Sequence, residues 1–296
     1  VSDVVAEPAE PAPAAARAPL RWWKEVLYAV AVYGVYSFVR NRFGSAGGDP
    51  GPAFGHAKDI VHLERALHLF FEPHLQRWYL DLPGKGLIRA WNVYYGIAHF
   101  VVTFLVLVLL FRRDKQRYPL WRNALGLMTC VAVVGFAVYS LMPPRLLDDP
   151  GQYGGCQLYA PAAAADAVAH HADHSAGCHK YGFVDTVERY GGWISFGNEG
   201  YKDISNQYAA MPSMHIGWST WCALVLVPML KKRWKKVLAA LYPVLTLLCI
   251  VVTGNHYWID GVGGLVCLGA GLLLARSLTG RFARQPARTT GQTLTA

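Results

Sequence analysis

The sequence predicts an all-α integral membrane protein: a six-transmembrane-helix bundle with an amphipathic outer helix and a long extracytoplasmic loop. Three observations predict it. Of 296 residues, 53% are hydrophobic and only 16% charged, whereas an ordinary soluble domain carries about 25% charged residues. Six apolar stretches, at 22–39, 90–111, 123–142, 214–230, 237–253 and 258–275, approach the roughly 20 residues a helix needs to cross hydrocarbon. Basic residues gather between alternate stretches: RRDKQRYPLWR (112–122) and KKRWKK (231–236) each carry five Lys or Arg. Together with the segments before the first stretch and after the last, these loops hold most of the basic side chains. Six spans bring all four segments to one side, which the positive-inside rule makes cytoplasmic. The net charge of +9 is therefore a signature of orientation. No basic face forms along one element, which excludes a nucleic-acid partner.

The elements follow in order. Residues 1–21 are rich in Ala and Pro (AEPAEPAPAAARAP), show no secretory signal pattern and read as a disordered tail. Residues 22–278 form one membrane domain, and 279–296 a polar, disordered tail. The first span is the weakest, because its uncharged run is only Val26–Val39, extended by Trp22 and Trp23 as interfacial anchors. In HAKDIVHLERALHLFFEPHLQRW (56–78), Ile60, Leu63, Leu67, Phe70 and His74 recur at helical spacing. That is either an amphipathic helix on the membrane surface or a helix packed on the bundle. The second span (VYYGIAHFVVTFLVLVLLF) is the clearest. The outer side then holds residues 40–89, the long loop 143–213 and the short turn 254–257. Cys130, Cys222, Cys249 and Cys267 fall within spans as small buried hydrophobes. Cys156 and Cys178 lie in the long outer loop, where oxidising conditions permit a disulfide that would pin it.

Three outer helix ends carry ionisable groups, which are costly near hydrocarbon and mark function by default. GNHYWID (254–260) puts His256 and Asp260 four residues apart at the start of the last span, on one helical face. A carboxylate there can hold one imidazole nitrogen as N–H and leave the other free as a nucleophile or base. AAMPSMHIGW (209–218) offers Pro212 at a helix start, Ser213 as a capping type and His215 in the first turn. LMPPRLLDD (141–149) brings Arg145 to the same level. A nucleophilic His, a His that protonates the leaving oxygen and a cation for phosphate oxygens suit phosphoryl transfer without a metal or other cofactor.

PSMH followed by GNHYWID resembles the motifs of the phosphatidic acid phosphatase type 2 superfamily, P-S-x-H and then G-x-H-x-x-x-D on a six-helix membrane core. The likeness covers roughly 90–275 and is nearest to the branch that includes inositol phosphorylceramide synthases, through PPR before the long loop and HYxID after it. The resemblance implies that His256 attacks phosphorus to give a phosphohistidine, that Asp260 supports it and that His215 is the general acid. It implies a lipid phosphate or pyrophosphate substrate, with water or a polyol such as inositol as acceptor, and the orientation set by the basic loops puts the site on the extracytoplasmic face of what is expected to be the plasma membrane. The chain departs from the wider pattern where that pattern places cations: Val138 stands seven residues before Arg145, Cys249 and Ile250 stand ahead of His256, and Met214 replaces a glycine. Arg145 is the candidate to cover part of the loss, ahead of Lys202 and Arg42.

Other readings stay open at this point. His99, mid-span, either bonds across helices, the favoured reading, or touches substrate. AHHADHSAGCHK (169–180) sets His170, His171, His174 and His179 beside Asp173 and Cys178, a possible metal set in an Ala-rich insertion. Glycines at 261–264 read as helix packing. His215 and His256 could instead be axial ligands of a haem, or the protein could be a non-catalytic lipid binder.

Overall fold

The computed structural model describes residues 21–42, 49–84, 86–169, 178–191 and 207–283. Its helices are α1 (Trp22–Arg42), α2 (Pro50–Ala66), α3 (Glu72–Asp81), α4 (Gly86–Arg113), α5 (Tyr118–Val138), the short α6 (Pro144–Leu147), α7 (Cys156–Tyr159), α8 (Pro161–Ala169) and α9 (Thr186–Tyr190), then α10 (Met214–Met229), α11 (Arg233–Val252) and α12 (Trp258–Ala283). Among the described residues the sole β feature is a parallel bridge between Leu141 and Ala209. Four helices are long and apolar enough to cross a membrane: α4, α5, α11 and the Trp258–Thr279 part of α12. α10 is apolar but only 16 residues long. α1, the weakest expected span, is a 21-residue helix outside those four. The chain is thus a multi-pass helical membrane protein.

The bundle is built inside out relative to a soluble domain. Val134, Val138, Val266 and Leu273 face outward, more than half exposed, as lipid-facing positions do when every backbone group is satisfied within its own helix. Between α4, α5, α10 and α12 lies a core of Val106, Leu110, Met128, Ala132, Trp221, Cys222 and Leu268. Small residues let the helices approach. A Cβ on Gly271 would sit 2.7 Å from the Ala124 carbonyl oxygen on α5, and one on Gly264 would collide with the Ser213 carbonyl at the start of α10. The glycines at 261–264 are therefore packing residues that seat α10 against α12.

Over one end of the bundle lies a second core, of Phe54, Ala57, Ile60 and Val61 from α2 with Leu141, Leu147, Phe183 and Tyr257. Here the sequence expectation needs correcting. The segment 56–78 is two helices, because α2 ends at Leu67 and His68 adopts a left-handed φ of 58°. Its closing bonds, His68 N–H to Arg65 O and Leu69 N–H to Glu64 O, satisfy the terminal carbonyls. The buried face is Ala53, Ala57, Ile60, Val61 and Glu64, while the predicted Leu63 and Leu67 are exposed. The elbow packs on the bundle. The long loop is fastened by a Cys156–Cys178 disulfide with Cα atoms 5.7 Å apart. It is also held by Asp148, whose carboxylate accepts from the Tyr159 hydroxyl (2.6 Å) and the backbone N–H of Gly182 (2.6 Å).

The elbow buries a carboxyl pair. Glu64 and Glu72 are fully buried, and Glu72 Oε1 accepts from the Trp258 N–H (3.4 Å) in the first turn of α12. Burial, and then the neighbouring Glu72, push the Glu64 carboxyl up to about 10. In the unfolded chain it titrates near its ordinary value of 4.5. The folded state therefore binds the extra proton between those values, and this contribution to stability is full at low pH and drains as pH rises toward 10. Glu64→Gln keeps the neutral form, so its Tm should fall less than the parent's between about pH 5 and 9. Parallel Tm–pH curves for the two proteins would show that the pair carries no such linkage.

Candidate active site

The turn between α11 and α12 creates the site. Thr253 closes α11, and Gly254 adopts φ +69°, which a side chain would resist. A Cβ there would also lie 2.8 Å from Gln76 Nε2 and 3.4 Å from Arg145 Cβ. The bare backbone lets the α6 segment dock, with Arg145 N–H donating to Gly254 O (2.7 Å). His256 follows, 3% exposed. It stands before α12 rather than on it, so the His256–Asp260 pair is not the shared helical face that spacing suggested. Asp260, in the first turn of α12, reaches back instead. Its Oδ2 accepts from the Tyr257 N–H (3.0 Å) and lies 3.3 Å from His256 Nδ1.

The nearer partner of His256 Nδ1 is the Ala210 carbonyl oxygen, at 2.7 Å. A carbonyl only accepts, so Nδ1 carries the proton and Nε2 holds the lone pair. Nε2 is buried and has no hydrogen-bond partner among the described residues. Burial lowers the ring to about 4, which keeps it neutral at neutral pH. His215, in the first turn of α10, has its ring 5.3 Å from that of His256 and stacks on Tyr95 of α4 at 4.3 Å. Ser213 is the N-cap of α10 but makes no side-chain cap bond. Its Oγ is buried without a partner among the described residues, while its N–H donates to Asp260 O (2.9 Å).

Arg145 is brought to the same cavity as both histidines, but its guanidinium is not free. One end pairs with Asp185 (2.5 Å) and another donates to Gln207 Oε1 (2.8 Å), leaving a buried Nε–H with no partner among the described residues. Asp185 also caps α9, accepting from the N–H groups of Val187 and Glu188. Asp185, Gln207, Asn255 and Tyr95 line the cavity and were not anticipated from sequence. Asp185 and Gln207 sit in a long loop without periodicity, and only an Asp before a short helix was there to be read. His99 does not bond across helices as expected. Its Nδ1 donates within α4 to Tyr95 O (3.0 Å), and its ring lies 4.3 Å from that of His215. Lys202, His170, His171 and His174 lie outside the described residues, as does the side chain of Arg42. Among the described residues, no three His, Cys, Asp or Glu side chains are arranged to hold a metal ion. The haem reading fails on distance, since two rings edge to face at 5.3 Å leave no room for a porphyrin between them.

Fold and site together define a multi-pass helical membrane protein with a buried pair of histidines at one end of its bundle. The chain belongs to the PAP2 superfamily, whose family model matches residues 58–274. That makes it a membrane protein of the lipid-phosphatase type, in a superfamily whose members are generally phosphatases or phosphotransferases. No curated protein and no solved structure matches the chain.

Proposed function

We propose that this protein transfers a phosphoryl group from a lipid phosphoester or pyrophosphate through a phosphohistidine at His256. The observation that carries the reading is the Nε2 of His256: buried, without a partner among the described residues, and held as the lone-pair nitrogen in a cavity shared with His215 and Arg145. Nε2 attacks phosphorus as the P–O bond to the lipid breaks, and protonated His215 gives its proton to the departing oxygen. Asp260 balances the charge that develops on the His256 ring. The Arg145 Nε–H, the Ser213 hydroxyl and, from outside the described residues, Lys202 are the candidates to hold phosphate oxygens. In the second step water or an alcohol attacks the P–N bond, passes its proton to His215 and restores the enzyme. No step calls for a cofactor. The bound partners are the membrane, the lipid phosphate and, for transfer, a polyol such as inositol.

We place the site on the extracytoplasmic face of the plasma membrane, with both termini cytoplasmic and six spans in residues 22–278. The basic loops at 112–122 and 231–236 support this, since they join helices at the end of the bundle away from His256. A plain lipid-phosphate or polyprenyl-diphosphate phosphatase is the second reading, favoured by the pairing of Arg145 with Asp185, which leaves water as the least demanding acceptor. Purified protein incubated with a panel of lipid phosphates, with and without inositol, separates the two. Free phosphate released regardless of inositol makes it a phosphatase. A phospho-alcohol formed only with inositol makes it a transferase. No turnover with any lipid removes the enzymatic reading and leaves a lipid binder.

A further inference from the structure

The cavity that holds His256 does not stop at the site. About 640 Å³ in volume, it continues between α1, α4 and α5 to Glu25, Tyr118 and Arg122 at the other end of the bundle. On α5 its lining runs from Phe136 back to Tyr118, which at about 1.5 Å per residue is roughly 27 Å. The hydrocarbon core of a bilayer is about 30 Å thick, and one leaflet about half that. The middle of the cavity is apolar, with Val32 of α1, Phe104 and Leu107 of α4 and Leu125 of α5 on its walls. Its floor is polar: Arg122 pairs with Glu25 at 2.6 Å, and the Tyr118 hydroxyl donates to Glu25 at 3.1 Å. α1 packs chiefly along α5 and lies outside the residues matched by the family model.

We infer that this cavity seats the hydrocarbon tail of the substrate, and that it selects lipid phosphates whose chain is long enough to pass the bilayer midplane. The continuity of the apolar run with the phosphate site commits the occupant, because a phosphate at His256 directs its own tail along the run toward Arg122. A chain that spans one leaflet fills only the outer half and leaves the wall formed by α1 unused. The inference rests on the lipid-phosphatase reading and adds the substrate class to it.

The test compares His256-dependent turnover of three monophosphates in detergent: a short-chain lipid phosphate, a phosphatidate with ordinary acyl chains, and a polyprenyl phosphate much longer than a leaflet is thick. The longest should have the highest kcat/KM. Ala29→Trp and Val32→Trp fill the inner half from α1, far from His256. Each should lower kcat/KM for the longest substrate by about tenfold or more and leave the short one unchanged, since misfit in an apolar pocket is worth about 10–200-fold. A polyprenyl phosphate with a photoreactive group at its far end gives a second readout that needs no turnover, and should label α1 near Ala29 and α5 near Leu125. Turnover that ignores chain length, or labelling confined to other helices, overturns the tail assignment and leaves the phosphatase reading standing. Absence of turnover on all three removes both.

Discussion

His256→Gln is expected to lower lipid-phosphate turnover by at least about 10³–10⁴-fold, the scale at which removing a nucleophile leaves only binding and electrostatic assistance. Glutamine is the informative replacement. Its side-chain NH₂ can still donate to the Ala210 carbonyl, which now takes the Nδ1 proton at 2.7 Å, so the buried pocket keeps its polar partner. What it lacks is the lone pair of Nε2. His256→Ala should lose as much activity, and in addition opens space beside Ala210 and Asp260 into which free imidazole can diffuse. Partial rescue by imidazole in the alanine variant, and none in the glutamine variant, is the expected pattern. Brief incubation of the parent with radiolabelled lipid phosphate should also leave an acid-labile, base-stable label on the protein, absent from both variants. Retained turnover with unchanged Tm in either variant would mean that His256 is a structural histidine and that the nucleophile lies elsewhere.

The division between what could be read in the chain and what could not follows from the range of the interactions. Membrane class and most of the spans were legible because hydrocarbon imposes a local rule, a run of about 20 apolar residues, and α4, α5, α11 and α12 obey it. His256, His215 and Asp260 were legible because each sits within a residue or two of a helix start, where spacing along the chain translates into depth. Yet the reason His256 meets Asp260 was misread, since the pair is made by a turn and a capping carboxylate. The ring's closest partner, Ala210 O, is 46 residues away in sequence and carries no side-chain signature at all. The same holds for Asp185. A cation at residue 145 reads from sequence as free to meet phosphate, whereas the returning loop places a carboxylate 2.5 Å from it and leaves only its Nε–H facing that task. The outer helix failed for a local reason: apolar spacing continued across residues 67–71 while the backbone turned at His68, and periodicity does not register a single left-handed residue.

Asp260→Asn should cost much less than loss of the nucleophile, about 10–10²-fold in kcat, and the reason is Ala210. Where an aspartate alone fixes the tautomer of a catalytic histidine, its amide costs about 10⁴-fold, because the ring flips its proton to the wrong nitrogen. Here the 2.7 Å bond to a backbone carbonyl fixes Nδ1 as the protonated nitrogen whatever stands at 260. The aspartate lies farther off, at 3.3 Å, and shares its Oδ2 with the Tyr257 N–H. Asparagine can keep the Tyr257 bond through its own oxygen, so the first turn of α12 and the Ser213 N–H on the Asp260 carbonyl stay in place. What disappears is a carboxyl group able to carry negative charge beside an imidazole that would become cationic on phosphorylation of Nε2. The variant should therefore form phosphohistidine more slowly and lose it faster, so that less labelled enzyme accumulates at steady state while Tm moves little. Single-turnover formation and decay of the label measure the two steps separately. A loss as deep as that of His256→Gln would show that Asp260, not Ala210, sets the tautomer. Unchanged formation and decay would reduce Asp260 to a helix cap. The predicted intermediate loss, with a faster second step, requires both the carbonyl and the charge.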